Sequence, residues 1–208
     1  MTSHRIVSRE EWIEARKQHL VREKEMTRLR DHLSTERREL PWVKVDKPYV
    51  FHGPDGKGTL ADLFDGRSQL VVKHFMLGPG WKEGCVGCSF EVDHIEGALV
   101  HLEHHDVTFV AVSRAPLGEI EGFKRRMGWR FPWVSSNRSD FNFDYHVSFT
   151  PDELKAGKAE YNYRLEPVSM SEGPGVSVFL KDGDKFYHTY STYTRGLDML
   201  NVAYHYMD

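Results

Sequence analysis

The chain's only two cysteines, Cys85 and Cys88, stand three residues apart in the stretch QLVVKHFMLGPGWKEGCVGCSF, residues 69–90. An apolar run comes first, then a loop rich in Gly and Pro, then the two thiols at the start of a helical pattern. A pair of thiols at i and i+3, after a strand and opening a helix, is suited to thiol–disulfide exchange. The reactive species is the thiolate, and an ordinary thiol with pKa about 8.5 is mostly protonated at neutral pH. A helix start favours the anion through its unpaired backbone N–H groups and its dipole. Cys85 is the expected nucleophile. Cys88, one turn in, is the expected resolving thiol, which attacks the mixed disulfide and frees the partner.

The residues downstream fit these roles. Cys88, Val92, Ile95, Leu99 and Leu102 recur at steps of four and three, which predicts one helix with Cys88 at the head of its buried stripe. Cys85 then lies nearer solvent. Competing readings are an inert pair or a staple, although a disulfide closing so short a loop stabilises by only about 2 kcal/mol. A third reading is a metal carrier built from Cys85, Cys88 and a histidine brought in by the fold, His188 being one choice. His101 and His105 have i, i+4 spacing, but no HExxH is present and along one helix they lie roughly 20 Å from the cysteines. No metal site and no organic cofactor are expected.

Several residues are placed to tune the thiols. Lys73 and His74 interrupt the apolar run on opposite faces of a strand. One of them beneath the CxxC turn would serve as base for Cys88; otherwise its side chain reaches the strand end or pairs with a carboxylate. Lys82 in the loop would lower the Cys85 pKa, with Glu83 beside it offsetting this. Trp81 suits either a docking surface or a loop anchor. Pro174, in Gly173-Pro174-Gly175 before a predicted hairpin, is the candidate for a cis-proline facing the cysteines, the competing reading being a plain turn. His188 heads HTYSTYTR, which suits a place near the site or an interface.

The elements that must position these residues follow from pattern. Ser8 with Glu11 reads as a capping box opening a helix. Ten Lys/Arg and eight Asp/Glu lie between Met1 and Leu40, leaving that helix little to bury. It is expected either as an arm on a second subunit, hence a homodimer, or as a solvated helix on its own domain. Pro41 ends it. Residues 49–51 read as a strand, Gly53 to Gly56 as a turn, and Thr59 to Phe64 as a short helix. Leu70–Leu77 is apolar at nearly every position, as a strand covered on both faces should be. Val107–Ser113 is a second buried strand; with the CxxC helix between, the unit is βαβ and the pairing parallel. A helix over Pro116–Met127 follows, then an extended segment to Val134. Residues 135–170 carry Phe141, Phe143, Tyr145, Phe149, Tyr161 and Tyr163 and read as an insertion covering the sheet or a partner. Val176–Lys181 and Lys185–Thr192 form a hairpin, and Leu197–Tyr206 a last helix. The expected domains are a charged arm, 1–40, and an α/β domain, 41–208.

With 39% hydrophobic and 28% charged residues the chain has an ordinary globular composition. A net charge of -3 gives no reason to expect nucleic acid or an anionic membrane. No apolar run approaches the roughly 20 residues of a membrane span. The first residues lack the apolar core of a signal peptide. A cytoplasmic protein is expected, where a CxxC pair is more often catalytic than structural.

The order strand, CxxC helix, strand, helix, Pro-led hairpin, helix resembles the thioredoxin fold: a three-layer α/β architecture, central mixed sheet flanked by helices, with an N-terminal extension and an insertion. The strings KHFMLGPGWKEGCVGCSF, VTFVAVSRAPL, FKRRMGWRFPWVSS, DFNFDYHVSFTPDE and GVSVFLKDG…YHTYSTYTRGLDMLN resemble domain-of-unknown-function family 899, mainly bacterial and thioredoxin-like, over nearly the whole chain. The resemblance implies a dithiol–disulfide oxidoreductase with Cys85 and Cys88 as the redox pair. Its partner would be a disulfide-containing protein or a small thiol. Val86-Gly87 lacks the proline that thioredoxin has between its cysteines, which bears on the reduction potential. A peroxiredoxin fits less well, since those enzymes carry Thr three residues before the active cysteine and this chain has Lys82 there. A scaffold of the same fold without turnover is the remaining alternative.

Overall fold

The structure, a computed structural model, describes residues 4–207. The chain divides into two compact units, Met1–Pro41 and Trp42–Asp208. The first contains one long helix, α1 (Arg9–Arg38), in which no residue is buried. Ser8 and Glu11 form the expected capping box, each side chain meeting the other residue's backbone N–H.

The second unit is built on an eight-stranded mixed sheet of order β1-β10-β9-β4-β5-β6-β2-β3. Its strands are β1 (Val43–Lys44), β2 (Val50–Gly53), β3 (Gly56–Thr59), β4 (Gln69–His74), β5 (Val107–Ser113), β6 (Trp133–Ser135), β9 (Gly175–Asp182) and β10 (Lys185–Tyr193). A separate hairpin pairs β7 (Lys158–Tyr161) with β8 (Arg164–Pro167). β4 and β5 run parallel, as the βαβ reading requires, and β9 lies antiparallel on the other side of β4.

Each sheet face carries its own core. Leu70, Val72, Phe141, Tyr145, Phe149 and Phe179 pack on one face. Phe75, Cys88, Val92, Phe109, Ile120 and Trp133 pack on the other. Period-two alternation along β4 assigns consecutive residues to opposite layers. Residues 135–170 cover the first face: α5 (Phe141–Asp144), α6 (Pro151–Ala156) and the β7–β8 hairpin lie in this stretch, and Phe141, Tyr145, Phe149 and Tyr161 enter the core. The second face is covered by α2 (Val86–Val92) and α4 (Leu117–Met127).

Two helices differ from expectation. The predicted single helix after Cys88 is α2 and α3 (Leu99–His104), separated by turns. The intervening residues are tied sideways to the chain after α4. Asp93 accepts from the Trp129 indole (2.7 Å), and the Glu96 carboxylate accepts the backbone N–H groups of Arg130 (2.6 Å) and Phe131 (2.9 Å). Ile95, Leu99 and Leu102 still pack on the second core, so the apolar stripe survives the break. The predicted last helix is a 3-10 segment, Thr194–Leu200, followed by α7 (Val202–Met207).

Candidate active site

The CxxC turn sits at the C-terminal end of β4. Met76 O accepts the Cys85 N–H (3.1 Å), tying the Cys85 backbone to the strand exit. Gly84 is required just before it, because an added Cβ would lie 2.7 Å from Phe75 Cε1 and 2.9 Å from the Phe123 ring. Cys85 is the N-cap of α2, and its Sγ accepts the Cys88 N–H (3.5 Å). Both thiols are free; Cys85 is half-buried and Cys88 only 2% exposed. Cys85 is thus the more accessible of the two thiols, as the stripe led by Cys88 implied.

A buried ion pair lies within electrostatic reach of the two sulfurs. Lys73, the penultimate residue of β4, is fully buried and donates to Glu91 Oε2 of α2 at 2.5 Å. The thiol pKa values diverge accordingly. Cys85 is lowered to about 6, chiefly because the Cys88 S–H donates to its thiolate; the Cys88 and Gly87 N–H groups and the Lys73 charge add to this, and burial opposes it. Cys88 is raised well above the ordinary thiol range by that same hydrogen bond and by burial, with Lys73 pulling the other way. The pair therefore holds one proton between two sulfurs at neutral pH. Burial raises Glu91 and the Lys73 charge opposes it, so Glu91 becomes a better proton acceptor than an exposed carboxylate.

Of the two residues that interrupt β4, Lys73 faces the thiols and His74 does not. His74 points into the opposite core against Phe141 and Tyr145, and burial pushes its pKa down to about 3. Its Nε2 meets Ser177 Oγ (2.8 Å), Ser177 meets Ser191 (2.7 Å), and Ser191 meets His188 Nε2 (2.7 Å). His188 packs on Tyr145 and Phe179 in that core. Neither His74 nor His188 is brought to the cysteines, because the sheet stands between them. The carrier reading loses its third ligand, and among the described residues no three His, Cys, Asp or Glu side chains converge as metal ligands.

Trp81 is half-buried against the second core. Lys82 is exposed and lines, with Trp81, Gly118, Gly122 and Arg126, a cavity of about 410 Å³ beside α4. The cation that lowers Cys85 is Lys73 rather than Lys82, and Glu83 is occupied by Arg126. Pro174 has a trans peptide bond, against the cis expectation. Two residues before it stands Glu172, a 3% exposed carboxylate that accepts from Arg114 and from Ser148. Glu91 was not singled out from the sequence, although a signal existed. It falls one turn after Cys88 on the buried side of α2, as Lys73 falls inside a buried strand, and opposite charges in two buried patterns imply a pair.

The fold has solved counterparts. Peroxiredoxin Q of Xanthomonas campestris is 16% identical, with a TM-score of 0.50, covering 80% of this chain and 96% of that one. Peroxidoxin BcpB from Mycobacterium tuberculosis is 14% identical, with a TM-score of 0.48 and coverages of 78% and 97%. Thioredoxin peroxidase I of Plasmodium yoelii is 13% identical, with a TM-score of 0.47 and coverages of 81% and 90%. Identities this low speak for the fold alone. In sequence, no curated protein matches the chain. The match that spans the chain is to a family: over residues 1–208 the protein belongs to DUF899, described as bacterial protein of unknown function.

Proposed function

We propose that the protein is a thiol–disulfide oxidoreductase, with Cys85 as nucleophile and Cys88 as resolving thiol. The observation that carries this reading is the placement of a half-buried Cys85 as the N-cap of α2, a buried Cys88 one turn on, and the buried Lys73–Glu91 pair on the same sheet face. In the reducing direction the Cys85 thiolate attacks one sulfur of the substrate disulfide. That S–S bond breaks, one substrate thiolate leaves, and a mixed disulfide forms on Cys85. Cys88 then loses its proton toward Glu91, with Lys73 stabilising the resulting thiolate. Attack of Cys88 on Cys85 Sγ releases the second substrate thiolate and leaves a Cys85–Cys88 disulfide. The substrate gains two electrons and the enzyme loses them; reversing the steps oxidises a dithiol. The substrate is a disulfide-containing protein or a small thiol, and the setting is the cytoplasm.

The pH dependence of Cys85 alkylation in reduced protein, followed by mass spectrometry with Cys88→Ser as a control, tests this reading. A midpoint near 6 is expected. A midpoint at the free-thiol value, about 8.5, would turn the reading toward a scaffold without turnover.

Peroxide is a second electrophile for the same thiolate, favoured by the likeness to Xanthomonas peroxiredoxin Q. Lys82, where those enzymes carry Thr, speaks against it. Stopped-flow mixing of reduced protein with hydrogen peroxide separates the two by rate, since a thiolate suited only to exchange is oxidised by peroxide no faster than a free thiolate.

A further inference from the structure

The sheet lacks part of a strand beside β5. β5 runs for seven residues, yet it pairs with β6 only at Ala111, Val112 and Ser113. Pro132 accounts for this. Its carbonyl accepts the Ala111 N–H at 2.9 Å. In a parallel ladder the next bond would run from the N–H of residue 132 to the Phe109 carbonyl, and proline has no N–H. By the two-residue repeat the N–H and C=O of Phe109 point the same way as those of Ala111. Among the described residues nothing on that side bonds to them. β2, the next strand over, pairs with β6 only at His52–Ser135, so the sheet holds a notch below β6. Val107, Thr108, Phe109 and Val110 all line it, in a cavity of about 560 Å³. Consecutive side chains of a strand alternate between faces, so a wall of consecutive residues is the strand's edge. Phe51 and Leu63 from one core and Leu99 and Trp133 from the other flank the opening. Lys124 lines it as well, half-buried, with its ammonium 6.0 Å from the centre of the Phe131 ring and no ion pair among the described residues. Burial lowers its pKa. Asp62, Asp65 and Glu103 on the rim are engaged by Thr59 and Arg67.

We propose that this notch binds a short extended peptide as an added strand: its backbone pairs with Phe109, its apolar side chains fill both faces, and a carboxylate meets Lys124. A strand in this place is covered on both sides, which calls for apolar residues in succession rather than in alternation. Strand addition draws affinity from main-chain hydrogen bonds and specificity from the pockets for the side chains. The notch stands apart from the thiols. Val107 pairs with Gln69 at the entry of β4, whereas the CxxC turn follows the exit of that strand. Binding here is independent of whether Cys85 exchanges disulfides.

The test titrates the peptide acetyl-Val-Ile-Val-Glu-amide into the intact chain by calorimetry, with amide hydrogen exchange followed by NMR. Saturable one-to-one binding is expected. In free protein the Phe109 amide should exchange faster than that of Ala111, and the peptide should protect it. Two N-methylated forms of the peptide, one at the first and third amides and one at the second and fourth, keep the side chains and the charge but remove alternate N–H groups. One form should bind at least about tenfold more weakly than the other, because only one edge of the added strand faces β5. Lys124→Met should weaken the unmodified peptide about tenfold. Val134→Trp, which brings a ring into the notch that Val134 lines, should abolish binding. Absence of binding overturns the proposal, as do equal affinities for the two methylated forms, or a Phe109 amide that is already as slow as Ala111 in free protein. Decanoate binding where the peptide does not would mark a site for apolar carboxylates and overturn strand addition in the same way.

Discussion

At the residue scale the proposed exchange depends on Lys73 being buried with one carboxylate and near two sulfurs. Replacing it by Met leaves Glu91 charged and unpaired in the core. Removing one partner of such a pair costs about 3–5 kcal/mol, so Lys73→Met should lower the denaturation midpoint substantially. It should also move the Cys85 alkylation midpoint upward, because the Lys73 charge lowers that pKa. A variant that unfolds earlier with an unmoved midpoint would reduce Lys73 to a structural role. The thiols also make stability depend on pH. The Cys85 pKa in the fold is depressed, so its contribution is fully present above the unfolded thiol value and is lost as pH falls through about 6. Cys88, with a raised value, acts oppositely and only at alkaline pH. In reduced protein the melting temperature of wild type relative to Cys85→Ser should therefore rise from pH 6 to pH 8. A flat difference would mean that the thiolate is not stabilised by the fold.

At the element scale the site is made by the exit of β4 and the entry of α2, and Gly84 is the hinge between them. Rings from Phe75 and Phe123 fill the space that a side chain there would need. Both rings are buried in the same core and have little room to give. Gly84→Ala should cost about 1–3 kcal/mol by overpacking; it should also slow Cys85 alkylation, since the turn must move to relieve the clash. Unchanged alkylation with lowered stability would show that the rings yield instead of the turn. Much of this element was legible in the sequence: the apolar strand, the CxxC helix start and the stripe from Cys88 to Leu102 each follow from local pattern. The break after α2 was not legible, because it depends on Glu96 and Asp93 meeting a segment about 35 residues away. The same holds for Tyr161 as a neighbour of Pro174, a contact between residues 13 apart with no local signature. The choice of His188 failed for that reason: its spacing said nothing about the face it would occupy.

At the scale of the whole molecule the sheet separates two chemistries. The thiols and the Lys73–Glu91 pair lie on one side. The chain from His74 through Ser177 and Ser191 to His188 lies on the other. His188→Ala should thus leave the Cys85 alkylation midpoint unmoved; a shift would mean that charge is felt across the sheet. No residue of the 30-residue helix α1 is buried, and Trp12, Met26 and Leu29 are each more than half exposed. We propose that it packs on a second copy. Light scattering is expected to give twice the chain mass, and a monomer would leave α1 a solvated helix.

The alternation along β4 also bears on how faithfully the chain folds. A slip of one residue in strand pairing would turn Lys73 into the aromatic core and His74 toward the cysteines. The displaced ammonium would then lie among Phe141, Tyr145 and Phe179, far from Glu91. Such an arrangement is heavily penalised, whereas a wholly apolar strand would tolerate the slip. The Lys73 charge thus penalises a slipped register of β4 as well as facing the thiols.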